Sequence, residues 1–224
     1  MPRAPWGDAM IKIVTVEREY GSGGAAIARK LALRLGWQLW DDRLTEEVAR
    51  ALPCNKADVE RRQERRDPLY YRLLKSFMRG AFEGNPHAPE MSLVDADCIV
   101  AVCRRLITRL GHSGRCVIVG RGSQHFLSAR SDAYRVFVYA AREDKIRRLR
   151  ALGKSEAEAS QLAVTVDAER AAFIKSYFHL DWPTRELYHL MVNSSVGEDA
   201  AVETILAGIA ALQKTLSPAG RHPR

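Results

Sequence analysis

Apolar positions along this chain fall into short continuous runs and into stretches spaced by three and four, the pattern of buried strands separated by helices. Ile11 to Val16 (IKIVTV) is a β-branched run that gives way to charge and then to Gly21-Ser22-Gly23-Gly24, which reads as a strand followed by a glycine turn. Ile27, Leu31 and Leu35 then recur every four residues, and Gly36 stands where a helix cap belongs. A short strand over Trp37 to Trp40 ends at Asp41-Asp42, and Leu44 to Leu52 has helical spacing stopped by Pro53. Helical spacing resumes over Ala96 to Leu110, Gly111-His112-Ser113-Gly114 breaks it, and CVIV from Cys116 forms a third strand closing on Gly120-Arg121-Gly122. Tyr134 to Tyr139 is the fourth strand. Helices follow over Glu143 to Leu152 and from Ser155, an N-cap, to about Tyr177. Leu187 to Val192 is the fifth strand, and Ser195 with Glu198 predicts a capping box before a last helix reaching about Leu212.

Strands separated by helices specify an α/β fold: a parallel five-stranded sheet with right-handed crossovers and helices on both faces. The length of 224 residues fits one domain, with residues 1–10 and 216–224 as flexible tails. Between Asn55 and Asp95 the chain becomes charged and irregular, with RRQERRD from Arg61 to Asp67 and GNPHAPE from Gly84 to Glu90, a mobile helical insert. The arginine run is read first as a solvated helix face, with a phosphate or nucleic-acid role as the sharper alternative.

Composition narrows the class without naming a function. With 46% hydrophobic and 28% charged residues the chain can bury a core and is not disordered. No apolar stretch approaches the roughly 18 residues that a membrane span needs, and the N-terminus does not read as a secretory signal, so no membrane partner is expected. Four cysteines without a C-x-x-C pair read as packed, reduced thiols and point to the cytoplasm. The net charge of +8 favours an anionic partner, nucleic acid or phosphorylated metabolite. Six histidines form no H-x-x-x-H pair and no G-x-S-x-G elbow occurs, so metal-hydrolase and serine-hydrolase readings lack support.

In an open α/β sheet ligands bind beyond the carboxyl ends of the strands. Those ends carry the glycine loop, Asp41 and Asp42, Gly120-Arg121-Gly122, and Arg142, a set suited to a phosphorylated ligand. Three glycines in four residues between a strand and a helix let backbone amides curl around a phosphate; a tight turn is the plainer account. The loop matches neither G-x-x-x-x-G-K-[ST] nor G-x-G-x-x-G.

Taken together, REYGSGG, IARKLALRLGW followed by WDD, CVIVGRGS, RVFVYA with its following RR, and a late aspartate and arginine on one helix resemble the cytidylate kinase-like family of P-loop nucleoside-phosphate kinases. The resemblance runs from about Lys12 to Leu212. It implies a P-loop NTPase fold of the nucleoside monophosphate kinase type, with a helical acceptor-binding insert over about 43–110 and a lid over about 142–180. It further implies phosphoryl transfer from ATP with Mg²⁺ to CMP or a related pyrimidine monophosphate. Laid on the loop of true cytidylate kinases, Arg18 falls at the first glycine, Gly24 at the lysine and Ala26 at the threonine, so lysine and metal-binding hydroxyl are both missing.

The same resemblance assigns the candidate site. Gly21, Ser22, Gly23 and Gly24 would cradle donor phosphates. Arg18, Arg147 and Arg148 would supply catalytic positive charge, Arg18 from the loop and the other two from the lid. Arg18 is otherwise a solvated charge beside Glu17 and Glu19, and the lid arginines otherwise form i,i+4 pairs with Glu143 and Asp144. Arg121 would hold the acceptor phosphate, with Gly122 where cytidylate kinases carry an aspartate. Asp41, Asp42, Asp167 and Arg170 would complete the substrate side, with an N-cap at Asp41-Asp42 and a local ion pair at Asp167 and Arg170 as the alternatives. Asn193 and Ser194 resemble the loop bordering adenine, with capping the plainer role. No resident metal site is expected. A nucleotide-binding regulatory protein without transferase activity is the second reading; a nucleic-acid binder ranks last, since no RNP-type aromatic motif occurs. The oligomeric state, homo-oligomer included, stays open.

Overall fold

The computed structural model describes residues 11–51 and 96–216. The charged run from Arg61 to Asp67, the GNPHAPE stretch, Cys54 and most of the 43–110 insert lie outside the described residues, as do the tails 1–10 and 217–224.

Five strands, β1 (Ile13–Arg18), β2 (Gln38–Trp40), β3 (Cys116–Val119), β4 (Ala133–Tyr139) and β5 (Leu190–Asn193), form one sheet in the order β2-β3-β1-β4-β5. Every pairing is parallel: Val14 stands opposite Val117 of β3 and Tyr134 of β4, Leu39 opposite Val117, and Val138 opposite Val192. A sheet of this kind is buried on both faces, which explains why β1 and β3 are enclosed at every residue.

Alternation along the strands then assigns each face. Val14, Val16, Val117 and Val119 pack with Ile27 and Leu31 of α1 (Gly24–Leu35) and with Val202 and Ile205 of α7 (Glu198–Leu216). Ile13, Cys116 and Ile118 face the other way, against α2 (Asp42–Ala51), α3 (Ala96–Ser113) and α6 (Glu156–Phe178). Burial pushes the thiols of Cys103 and Cys116 up to about 12, so both are inert packing groups. The short α4 (Ser123–Phe126) follows β3, and α5 (Arg142–Ala151) pairs with α6 through Leu149, Ala159, Ala163 and Val166.

Three local expectations are corrected. Helix α3 runs through Gly111 to Ser113 and stops at Gly114, because Gly111 sits where a Cβ would meet Leu127 at 3.1 Å, a helix-packing role and not a break. The fifth strand begins only at Leu190; Arg185–Leu187 is a 3₁₀ turn. No capping box forms at Ser195, whose hydroxyl bonds Asp144, while the Asn193 side chain accepts from the Ser195 N–H at 3.0 Å and caps a 3₁₀ turn over Ser194–Val196. Ser155 does cap α6, accepting from the Glu158 N–H at 3.2 Å.

Candidate active site

The glycine loop leaves β1 and enters α1 with Gly21 and Gly23 both at φ +76°, and no side chain caps the helix. Its first amides are therefore available to an anion at the positive end of the helix dipole. Beneath the loop lies Arg18, almost wholly buried, reaching from β1 toward β2 and β3. Its stem fills the space a side chain at residue 24 would need: a Cβ there would lie 2.5 Å from Arg18 Cβ and 2.9 Å from Cγ. Its head occupies the space beside Gly120, where a Cβ would meet Nη1 at 2.3 Å. Arg18 approaches Glu17 and Asp41, each at 3.9 Å, so it is not the solvated charge that its neighbours in sequence suggest.

After β3, Gly120, Arg121 and Gly122 are all left-handed, at φ +64°, +54° and +71°. For arginine this conformation is strained by about 1–2 kcal/mol, and three hydrogen bonds from the two terminal guanidinium nitrogens hold it in place. Arg121 Nη1 donates to Asp41 Oδ1 at 2.8 Å and to the Val119 carbonyl at 2.9 Å, and Nη2 donates to Thr45 Oγ1 at 2.5 Å. None of its side chain reaches solvent. Asp41 thus serves the two arginines, while Asp42 opens α2 at the surface. Partial burial and then the neighbouring Asp41 charge push the Asp42 carboxyl up, against Arg121 and Arg29.

The two adjacent arginines of α5 have opposite fates. Arg147 is 70% exposed and pairs with Asp144. It lines a shallow depression of about 580 Å³ with Arg142, Ile146 and Arg150, away from the loop. Arg148 turns inward: its Nε would lie 3.4 Å from a Cβ at Gly23, Nη2 donates to the Ser194 carbonyl at 3.0 Å, and Nη1 is enclosed without a protein partner. Ser194 in turn donates to the Ser22 carbonyl at 2.5 Å, and the enclosed Ser22 hydroxyl also lacks a partner. Loop, α5 and the β5 turn therefore meet around Gly23.

Asp167 and Arg170 address the loop's main chain. Asp167 Oδ1 accepts the Tyr20 N–H at 2.8 Å, and Arg170 Nη1 donates to the Arg18 carbonyl at 2.7 Å and to Asp167 at 3.3 Å. Lys145, which sequence reasoning missed, sits between Glu19 Oε2 and Asp167 Oδ2, both at 2.9 Å. Its one sequence signal was a position four residues before Leu149, on the buried face of α5. Glu17 was also missed: its Oε2 accepts from Gln124 Nε2 at 2.8 Å, a carboxylate on a strand buried at every residue.

An anionic donor fits this loop: α1 begins with uncapped amides, and the Arg148 guanidinium, with Nη1 unpartnered, lies at Gly23. No group of three or more His, Cys, Asp or Glu residues among those described could hold a metal ion. Mg²⁺ bound mainly through phosphate oxygens and water needs only one or two carboxylates, and Asp42 is the one not committed to an arginine at that edge.

A parallel sheet with this strand order, a glycine loop at the first strand–helix turn and a helical pair above it define a P-loop kinase-type fold. The chain belongs to the cytidylate kinase-like family, whose family model matches residues 13–196. A search of curated proteins returned no significant match. Among solved structures, an uncharacterized protein from Eubacterium ventriosum superposes with a TM-score of 0.64 at 22% identity, covering 89% of this chain and 98% of that one, a likeness of fold. Shikimate kinase from Bacteroides thetaiotaomicron (15% identity, TM-score 0.46, covering 92% and 98%) and a gluconokinase from Sinorhizobium meliloti (16%, 0.48, covering 93% and 97%) are more distant. No described helix is long and apolar enough to cross a membrane.

Proposed function

We propose that this protein transfers a phosphoryl group from ATP to a nucleoside monophosphate, with a pyrimidine nucleotide such as CMP as acceptor. The observation that carries the reading is the convergence at Gly23 of uncapped helix amides and the enclosed, unpartnered Arg148 Nη1. Phosphoryl transfer rests on positioning and on matching charge spread over the phosphoryl oxygens, and both can be supplied without covalent chemistry by the protein. In this reading Gly21 to Gly24 bind the donor phosphates through main-chain amides. Arg148 closes on them from α5, and Arg18 brings from beneath the loop the positive charge that a lysine at residue 24 would supply. Asp42 would help to hold Mg²⁺ through water, and the ion would supply further positive charge. Arg121, with Asp41 and Thr45, would orient the acceptor phosphate, and Arg147 would reach the site only on closure. No general base is required, because an acceptor phosphate is already an anionic nucleophile. The 43–110 insert would cover the acceptor and the 142–180 region would exclude water, which otherwise competes for the phosphoryl group.

One feature favours a second reading, a nucleotide-binding regulatory protein without turnover. Arg121 is enclosed, and both its terminal nitrogens are taken by Asp41, Thr45 and Val119, so an acceptor phosphate must displace a buried ion pair to engage them. A coupled assay with ATP, Mg²⁺ and a panel of monophosphates separates the two. Turnover highest with CMP or UMP is expected. Tight ADP binding by calorimetry without product from any acceptor would establish the regulatory reading instead.

A further inference from the structure

The glycine loop of this chain has no lysine of its own, yet its incoming segment is held at four points by α5 and α6. Tyr20 N–H and the Arg18 carbonyl are bonded by Asp167 and Arg170. Glu19 accepts from Lys145 and from the Ala140 N–H at 3.3 Å. The Tyr20 ring is buried against Leu149, Ala159, Ala163 and Val166. Lys145 is central to this arrangement. It is 8% exposed, its Cβ would stand 3.2 Å from a Cβ at Gly21, and its ammonium separates two carboxylates that would otherwise face each other. Burial opposes its charge, but the Asp167 charge and the bonds to Glu19 and Asp167 outweigh it.

We propose that Lys145 is a positioning residue that sets the shape of the glycine loop from outside, by keeping Asp167 on the Tyr20 amide and Glu19 against α5. Without the ammonium, Glu19 and Asp167 repel across a desolvated gap, Asp167 leaves the Tyr20 N–H, and the loop amides lose their common focus. The α5–α6 pair is then no independent lid: it is bolted to the loop, and any opening of the pair loosens the anion site at the same time. This deepens the nucleotide reading and rests on it for the affinity arm of the test only.

The test compares full-length wild type, Lys145→Met and Lys145→Arg. Hydrogen–deuterium exchange without ligand reports the peptide over residues 19–24, and calorimetry with a non-hydrolysable ATP analogue reports affinity. Lys145→Met is expected to raise exchange of the loop peptide about ten-fold while peptides from β4 and α7 stay unchanged. It should weaken the analogue about ten-fold or more, and Lys145→Arg should return both toward wild type. Wild-type loop exchange in a folded Lys145→Met protein overturns the proposal, even if nucleotide affinity falls. A wild type that binds no analogue removes the nucleotide reading and leaves the exchange arm decisive. Should Lys145→Met fail to fold, Glu19→Gln removes one carboxylate partner without leaving the other unopposed. Loop exchange raised about three-fold supports the positioning role, and unchanged exchange overturns it.

Discussion

The stem of Arg18 and any side chain at Gly24 exclude one another: a Cβ at residue 24 would lie 2.5 Å from Arg18 Cβ, a distance that real Cβ atoms do not adopt. Arg18 therefore occupies the space that a side chain at residue 24 would need. Gly24→Ala is expected to destabilise the protein by about 1–3 kcal/mol, the usual range for overpacking, in urea unfolding. The double variant Arg18→Gly with Gly24→Lys should recover most of that loss and retain ATP-analogue binding, whereas Gly24→Lys alone should not bind. Equal stability of Gly24→Ala and wild type would show that Arg18 does not hold this position.

Arg147 and Arg148 are adjacent but not equivalent. Arg148→Ala should weaken binding of an ATP analogue about ten-fold, near 1.4 kcal/mol, because it removes the guanidinium that lies at Gly23 and Ser194. Arg147→Ala removes a 70% exposed side chain in a surface pair and should change affinity by less than about two-fold. Calorimetric titration of both variants decides it; the reverse ranking would move the donor site to the outer face of α5.

Asp41 and Arg121 form a buried pair, with side-chain exposures of 7% and 0%. Removing either partner strands the other, and Asp41→Ala or Arg121→Met is expected to cost about 3–5 kcal/mol of stability. Arg121→Lys should not restore it, since a single ammonium cannot reproduce the bonds to Asp41, Val119 and Thr45 at once. Denaturant midpoints give the answer, and a loss below about 1 kcal/mol would mean that the pair is solvent-screened.

His125 contributes a pH dependence to stability. Stacked on Phe178 at 4.3 Å, with both ring nitrogens enclosed and unpartnered, it is pushed by burial from 6.5 to about 4, against the pull of Glu17. The unfolded chain binds the proton more readily, so this contribution is complete above pH 6.5 and is lost as pH falls toward 4. A melting temperature that declines through that window in wild type should decline less in His125→Phe. Parallel curves for the two proteins would exclude His125 as the source.

The order of strands and helices was legible in the chain because each leaves a periodicity that survives without partners: Ile11 to Val16 and CVIV as continuous apolar runs, Ile27, Leu31 and Leu35 as a helical stripe. Boundaries set by packing were not. Gly111 reads as a helix break until Leu127 is seen lying against it, and Ser195 reads as a cap until Asn193 takes that role.

The sequence by itself determined the parallel α/β architecture, the glycine loop at its first turn, the absence of a lysine from that loop, and which charged residues follow each strand. Only the tertiary structure decided what those charges face. Arg148 points at the loop and Arg147 at solvent, Arg121 is locked onto Asp41 and Thr45, and Asp167 and Arg170 grip the loop's main chain while Lys145 joins the Glu19 and Asp167 carboxylates. The physical reason is that backbone periodicity is a local property of consecutive residues. The partner of a buried charge, in contrast, is chosen by desolvation among groups brought together from across the chain, 147 residues apart for Tyr20 and Asp167.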